Sequence, residues 1–514
     1  MEKETKKFSN FDAALAMQSE GKYVSALYYC QRLEQDEGDC LPYISVLRGD
    51  IYFDMGLTGE AVREFMRAYA EDKQEEGAIE GLIDCYKILD KGAAVFYMAE
   101  AVKEGIPAEA FIDDMTVNER FFEMTDRTDY SEHLDAAIVM IESNRKDEAL
   151  ATLDKIPTSA VQYADACIVK GTVAFEEGDL EKAESMVNAA MAAKKDCAGS
   201  YILKAMIADK RGDAVKLNEI TDSMAKIECA DQSDALKVAL ALYNYGFTDK
   251  AAAFLKQRML NFPYDKICML FLASLKADEK DWRKYCYDAQ LIYRDDEMVN
   301  EITTKLLDGE DVKIPDAIFE IRLKWLGDIK DALIGVAEIR DKQLKRKIKW
   351  LLHSGEDELF QATAATAIAK DDYFTDIIDD ALIDPMVTTT AKRHMLYAKF
   401  CDEKVDVIKF VAYNAYREVE VVHPTAPDTL KAAFYQNCML FSLSGEYESS
   451  RLLKALNYLT ERYSALSVEQ ANSLSVIAVA ALMNEVAGGT RKVFNCSDDE
   501  YNKAKELLAI EYGD

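Results

Sequence analysis

Breakers and metal-binding side chains are what this chain has least of. Of 514 residues, 8 are proline, 22 glycine, 4 histidine and 3 tryptophan. So few prolines and glycines exclude a collagen-like chain or an extended low-complexity one, while a hydrophobic share of 49% supplies material for a continuous core. The four histidines, His133, His353, His394 and His423, are far apart and none lies in an HExxH spacing, so no zinc first shell is legible. P-loop, GxSxG and GxGxxG signatures are missing as well. The 11 cysteines form no CxxC pair, are odd in number, and fall mostly in apolar helical patterns such as those of Cys167 and Cys268. They read as buried thiols of a reducing compartment. No window of 18 apolar residues occurs, and the opening segment MEKETKKFSNF is charged without an apolar core; neither export nor membrane insertion is expected, and a cytoplasmic location follows. Positive charge is also in deficit: 62 basic against 93 acidic side chains give a net charge of −31, which opposes binding to nucleic acid or an anionic membrane.

What is present is repetition. Asn144, Gly178, Gly212, Gly246 and Lys280 are spaced by an unvarying 34 residues. Each occupies the same place in a helix-turn-helix pattern. In KGTVAFEEGDLEKAESMVNAAM, Gly171, Gly178, Ala183 and Ala190 occupy the small-residue and turn positions. LKAMIADKRGD repeats them with Ala205, Ala208 and Gly212, and VALALYNYGFTDKAAAFLKQ with Ala239, Gly246 and Ala251 before Pro263. Small residues let two antiparallel helices approach closely, and glycine supplies the positive φ that ends the first helix over a tight turn. Upstream, Gly49, Tyr52, Gly56, Ala61, Phe65 and Ala68 repeat the pattern, as do Gly21 and Ala26; Gly105 to Asp129 breaks the phase.

The chain resembles the tetratricopeptide repeats over roughly residues 8 to 300. The family's aromatic near the start of the first helix is absent from most units, and Leu217 and Tyr285 stand where alanine is usual. The resemblance implies a right-handed α-solenoid whose first helices line a concave groove. Carried onto this sequence, the inward positions are Ile168, Thr172 and Phe175, then Ile202 and Met206, then Leu236, Leu240 and Tyr243, then Ile267 and Leu270. They are mostly apolar and lack the lysine and asparagine set with which chaperone-type members clamp a terminal carboxylate. The implied ligand is an apolar or amphipathic segment held by burial, at about 25 cal/mol per Å² of apolar surface removed from water.

Beyond residue 300 amphipathic helices continue without that phase, and DALIDPMV, with Pro385, resembles HEAT-type repeats. The run RDKQLKRKIKW places Lys342, Lys345 or Arg346, and Lys349 along one stripe, either balancing neighbouring acidic helices or offering an anion patch. Val405 to Tyr413 and Tyr416 to Val422 read as a β-hairpin around Asn414-Ala415, the chain's one β signal, and HPTAP (423–427) opens a last helical module with a turn at Gly445. The final helix begins at Asp498. Its acidic opening counts against a DNA-reading role, and Ser497 with Glu500 reads as a capping box.

The expected class is therefore all-α: tetratricopeptide-like hairpins continued by HEAT-like helices, with a small β-hairpin insertion and a C-terminal helical module. The expected divisions are repeats over 1–104, an irregular insertion over 105–130, the main array over 131–300, HEAT-like helices over 301–404, hairpin and linker over 405–426, and the terminal module over 427–514. The expected function is a protein-interaction scaffold with a protein or peptide partner, without catalysis, cofactor, metal, nucleic acid or membrane; oligomeric state is left open. The alternatives are a peptide- or ligand-sensing regulator whose C-terminal module is the effector and, third, an enzyme whose site is assembled across the solenoid.

Overall fold

A computed structural model describes residues 2–37, 42–106, 130–143, 145–160, 162–195, 197–227, 232–275, 281–314, 316–333, 341–353, 358–369, 371–445, 447–489, 494 and 496–508. Its described residues are helical apart from one two-stranded sheet and the connections. The chain divides into two compact units, Met1–Glu109 with Lys324–Asp514, and Ala110–Leu323.

Unit 1 begins with three antiparallel pairs: α1 (Glu2–Ser19) and α2 (Tyr23–Glu37), α3 (Pro42–Asp54) and α4 (Thr58–Glu71), α5 (Glu76–Leu89) and α6 (Lys91–Lys103). The glycines at two helix contacts explain the close approach of these pairs. A Cβ on Gly49 would lie 2.6 Å from the Phe65 ring and one on Gly81 2.4 Å from the same ring, so the phenyl of α4 is seated between bare backbone of α3 and α5. Arg48, 1% exposed in the same core, pairs with Glu34 at 2.5 Å and Glu64 at 3.1 Å. Burial opposes the charge on Arg48, but the two carboxylates outweigh it and raise its pKa well above the usual value.

Unit 2 carries five consecutive antiparallel pairs over residues 131–292. They are α7 (Ser131–Glu142) with α8 (Lys146–Leu153), α9 (Tyr163–Glu176) with α10 (Leu180–Ala193), α11 (Ala198–Lys210) with α12 (Ala214–Met224), α13 (Gln232–Asn244) with α14 (Thr248–Asn261), and α15 (Lys266–Leu275) with α16 (Trp282–Ile292). Then comes α17 (Glu297–Leu307). The predicted turns fall at Gly178, Gly212 and Gly246, with φ of +83°, +69° and +80°. Asn144 and Lys280 lie outside the described residues.

Local chemistry explains these turns. Gly178 N–H donates to the Phe175 carbonyl and Asp179 N–H to the Ala174 carbonyl, closing the end of α9; the Asp179 carboxylate then accepts from Lys182 N–H at 3.0 Å and opens α10. Gly212 and Asp213 do the same between α11 and α12. The two-residue step Gly-Asp thus stops one helix and starts the next. Ala183, Ala190, Ala205, Ala208, Ala239 and Ala251 are all buried, and a Cβ on Gly171 would meet Leu203 at 2.8 Å.

The chain continues with α18 (Asp316–Leu333), α19 (Lys342–His353), α20 (Glu358–Ile368), a 3-10 turn (Asp372–Phe374), α21 (Thr375–Ile383) and α22 (Thr389–Cys401). Within unit 1, Trp325 and Trp350 meet edge to face at 5.1 Å. The hairpin follows as β1 (Val407–Ala412) and β2 (Ala415–Glu420), antiparallel with Ala412 opposite Ala415. Its turn is Tyr413-Asn414, one residue earlier than expected, with φ of 51° and 61° at the two positions. Pairing of Ala412 with Ala415 leaves two residues in the loop, and a two-residue hairpin takes the primed geometry with both φ positive.

That register turns alternate backbone groups outward along each edge. Side chains meet several of them: Lys392 Nζ donates to the Val411 carbonyl at 2.8 Å, Tyr416 N–H donates to the Tyr97 hydroxyl at 3.1 Å, and the Tyr447 hydroxyl donates to the Glu420 carbonyl at 3.1 Å. Part of each sheet edge is thereby occupied. The Tyr97 hydroxyl also donates to the Asn414 carbonyl, Asn414 Nδ2 donates to Asp90, and Lys409 donates to the Ala70 carbonyl, fixing the hairpin to α4 and α6. Tyr97 stacks on Tyr86 at 5.5 Å and meets Tyr69 edge to face, and Tyr69 meets Tyr416 in the same way.

The last block comprises α23 (Asp428–Ser444), α24 (Ser449–Tyr463), α25 (Val468–Asn472), α26 (Val476–Val486) and α27 (Asp498–Leu507). Gly445 ends α23 at φ +79°, and Ser497 and Glu500 form the predicted capping box at the start of α27. Of the nine described cysteines seven are buried, and all nine are free thiols.

Two substitutions separate the roles of glycine. A Cβ on Gly178 would meet nothing within 4 Å, so its cost is conformational alone: Gly178→Val should destabilise by about 1–3 kcal/mol through left-handed strain, read as a lower melting temperature. Gly81→Ala should cost about 1–3 kcal/mol through overpacking against Phe65, and Phe65→Leu in the same chain should restore part of that loss.

Candidate functional site

In unit 2 the first helices α9, α11, α13 and α15 lie side by side, each touching the next. The apolar positions predicted on them fall on successive helices. Ile168, Thr172 and Phe175 on α9, Ile202 and Met206 on α11, Leu236, Leu240 and Tyr243 on α13, and Ile267 on α15 are all half-buried. Leu270 is 2% exposed and lies inside the core. Several of these side chains bridge helices. Phe175 and Met206 rest on the cluster of Ala174, Ala183, Val187, Leu203 and Ile207, and Tyr243 meets Phe271 of α15 edge to face at 5.8 Å. Ile168 lies where a Cβ on Gly199 would approach it to 3.1 Å, so the glycine brings α11 close to α9. The Thr172 hydroxyl is turned back onto the Ile168 carbonyl at 2.9 Å. Among the described positions the resulting face is apolar apart from the hydroxyls of Thr172 and Tyr243.

The basic stripe of α19 has a different environment. Lys345 pairs with Asp376 at 2.8 Å and donates to the Tyr373 carbonyl, Lys347 pairs with Asp328 at 2.5 Å, and Lys349 pairs with Asp380 at 3.3 Å. Lys342 and Arg346 are exposed. Most of the charge is thus matched by carboxylates of neighbouring helices within unit 1.

A buried ionic centre that the sequence did not reveal lies nearby. Asp384, after α21, receives Arg63 Nε of α4 at 3.2 Å, lies 2.5 Å from His353 Nδ1 at the end of α19, and accepts from Met386 N–H at 2.8 Å. Burial pushes the Asp384 carboxyl up, but Arg63, His353 and the Met386 amide outweigh it and hold it well below the usual carboxylate range. Arg63 also donates to the His353 carbonyl at 2.7 Å. Beside it Lys392 of α22, 2% exposed, donates to the Asp384 carbonyl at 2.7 Å and to the Val411 carbonyl. Burial brings the Lys392 ammonium down to about 7 against the opposing pull of Asp384. Both of its acceptors are backbone carbonyls. The sequence signal was a lysine in the apolar phase of α22, in step with Met395 and Leu396.

Chemically this centre pairs a carboxylate with an imidazole, and no hydroxyl or thiol nucleophile is hydrogen-bonded to His353 among the described residues. Nor does any group of three or more His, Cys, Asp or Glu side chains gather in a metal-holding arrangement among them. No described helix is long and apolar enough to cross a membrane.

No family model matches the chain, and no curated protein matches it. Among solved structures, the crystal structure of yeast Tom70 is similar with a TM-score of 0.28 and 14% identity, over 94% of this chain and 96% of that one. So slight a likeness carries no argument. The tetratricopeptide-like character rests on the hairpins, their 34-residue turns and their buried small residues.

Asp384→Asn should remove the carboxylate charge shared by Arg63 and His353, leaving Arg63 with Glu60 alone, and cost about 1.5–3 kcal/mol in urea unfolding at pH 7. A carboxyl held below its ordinary value of 3.8 contributes stability that is complete above that pH and disappears as pH falls through the folded value. The gap between wild type and variant should therefore narrow in acid.

Proposed function

We infer that the protein is an interaction scaffold that binds an apolar or amphipathic peptide segment of another protein along the first-helix face of unit 2. The observation that carries this reading is the row of half-buried apolar side chains on four neighbouring helices, from Phe175 through Met206 and Leu240 to Ile267. A partner touching all of them lies across several repeats and gains its affinity by burial, so its binding is weakly dependent on salt. Stacked hairpins that hold such a face in fixed relative position act as a preformed groove wall, which lowers the ordering cost of binding.

The test uses the full chain. A photo-crosslinking side chain at Met206 or at Leu240 should trap one and the same partner, and Met206→Glu with Leu240→Glu should abolish that capture while the far-ultraviolet circular dichroism is retained. A folded double variant that still captures the partner places binding elsewhere. Should that variant unfold, Leu240→Gln alone, which removes apolar surface without adding charge, should weaken capture about tenfold.

A further inference from the structure

The first helices of unit 1 present a different surface. Along α1 and α3, Phe11 and Tyr43 meet edge to face at 5.7 Å, and Leu15 is 43% exposed beside them. Gln18 of α1 donates to the Asp54 carboxylate of α3 at 2.8 Å, and Leu15, Gln18 and Asp54 line an open hollow of about 540 Å³. Val46 continues the apolar side: it lies where a Cβ on Gly77 would meet it at 2.7 Å, which brings α3 and α5 together.

One helical turn further the face becomes acidic. Asp50 and Asp54 of α3 and Glu80 and Asp84 of α5 are exposed. Asp84 has Lys87 at 3.2 Å, whereas among the described residues no cation lies against Asp50, Asp54 or Glu80. The Asp50 carboxyl is pushed up to about 6, first by the protein crowded around it and then by Asp54 and Glu80. In the core of the same pairs Glu34 and Glu64 are matched by Arg48, and Glu60 is matched by Arg63. The repulsion at Asp50 comes from Asp54 and Glu80 on this same face, and a cation brought from outside would relieve it.

We propose that the face of α1, α3 and α5 docks an amphipathic segment of another protein that carries lysine or arginine beside apolar side chains, the apolar groups seated over Leu15, Tyr43 and Val46 and the cations over Asp50, Asp54 and Glu80. Charge complementarity selects this occupant. An acidic segment would add to the repulsion, and a purely apolar one would bury carboxylates without partners. This face is separate from the one on unit 2 and is tested separately.

The probe is a synthetic helical peptide of leucine and lysine, titrated against the full chain carrying Met206→Gln and Leu240→Gln, so that the apolar face of unit 2 takes no part in binding. It should bind; a leucine–glutamate counterpart should not, and a serine–lysine peptide of equal charge should bind at least tenfold more weakly. Asp50→Asn with Asp54→Asn and Glu80→Gln should weaken the leucine–lysine peptide about tenfold at low salt, the sum expected of three exposed charge pairs. Equal neutralisation elsewhere, by Glu461→Gln, Glu469→Gln and Asp499→Asn, should leave it unchanged. With Asp50, Asp54 and Glu80 intact, affinity should fall as pH drops from 7 to 5, because Asp50 takes up a proton there while the lysines stay charged. Failure of the peptide to bind, equal loss in the two neutralised variants, equal binding of the serine–lysine peptide or a flat pH profile would each overturn the proposal.

Discussion

The contact between Arg63 and Asp384 is the interaction on which unit 1 depends, because its partners stand 321 residues apart in the chain. A carboxylate taken out of water is stable only if its lone pairs are met, and here a guanidinium, an imidazole and a backbone amide meet them. Each donor comes from a different place: Arg63 from the second repeat pair, His353 from the end of α19, Met386 from the turn before α22. Lys392 extends the same centre to β1 through the Val411 carbonyl. The geometry is demanding, so the centre fixes one arrangement of α4, α19, α22 and the hairpin and leaves alternatives with an unpaired buried charge.

The hairpin adds a second point of fixation of another kind. Two strands alone are marginal in water, and this pair is sustained by aromatic packing and by side chains that occupy its edges. Tyr97 does both, stacking on Tyr86 while its hydroxyl accepts from Tyr416 N–H and donates to the Asn414 carbonyl. The positive φ at Tyr413, costly for a side chain with a Cβ, persists because Asn414 and Tyr416, which follow it, are anchored.

In unit 2 the constraint is close approach, repeated. Gly171 and the buried alanines set the distance between helices, glycine at positive φ ends the first helix at Gly178, Gly212 and Gly246, and Asp179 and Asp213 open the second helix at two of these turns. A face assembled in this way inherits its regularity from the repeat, which is why the apolar row could be located without knowing any contact. The face of unit 1 is built on the same plan, but its side chains differ, and the difference in charge gives it a different partner.

How much was legible follows from the range of the forces involved. The sequence by itself determined the helical hairpins, the positive φ at Gly178, Gly212 and Gly246, the cap at Ser497 and the hairpin's place, because each depends on residues within a few positions. It missed the hairpin turn by one residue, since register is fixed by pairing and not by the preference of asparagine alone. The half-buried apolar positions of the first helices were readable from phase, but Leu270 shares that phase and is buried, because what covers a side chain is decided by its neighbours in space. Only the tertiary structure decided that Arg63, His353, Asp384 and Lys392 form one buried centre, and that residues 1–109 and 324–514 make one unit. Charges separated by hundreds of residues leave no periodic trace; their pairing is an outcome of desolvation, which exists only once the chain has folded around them.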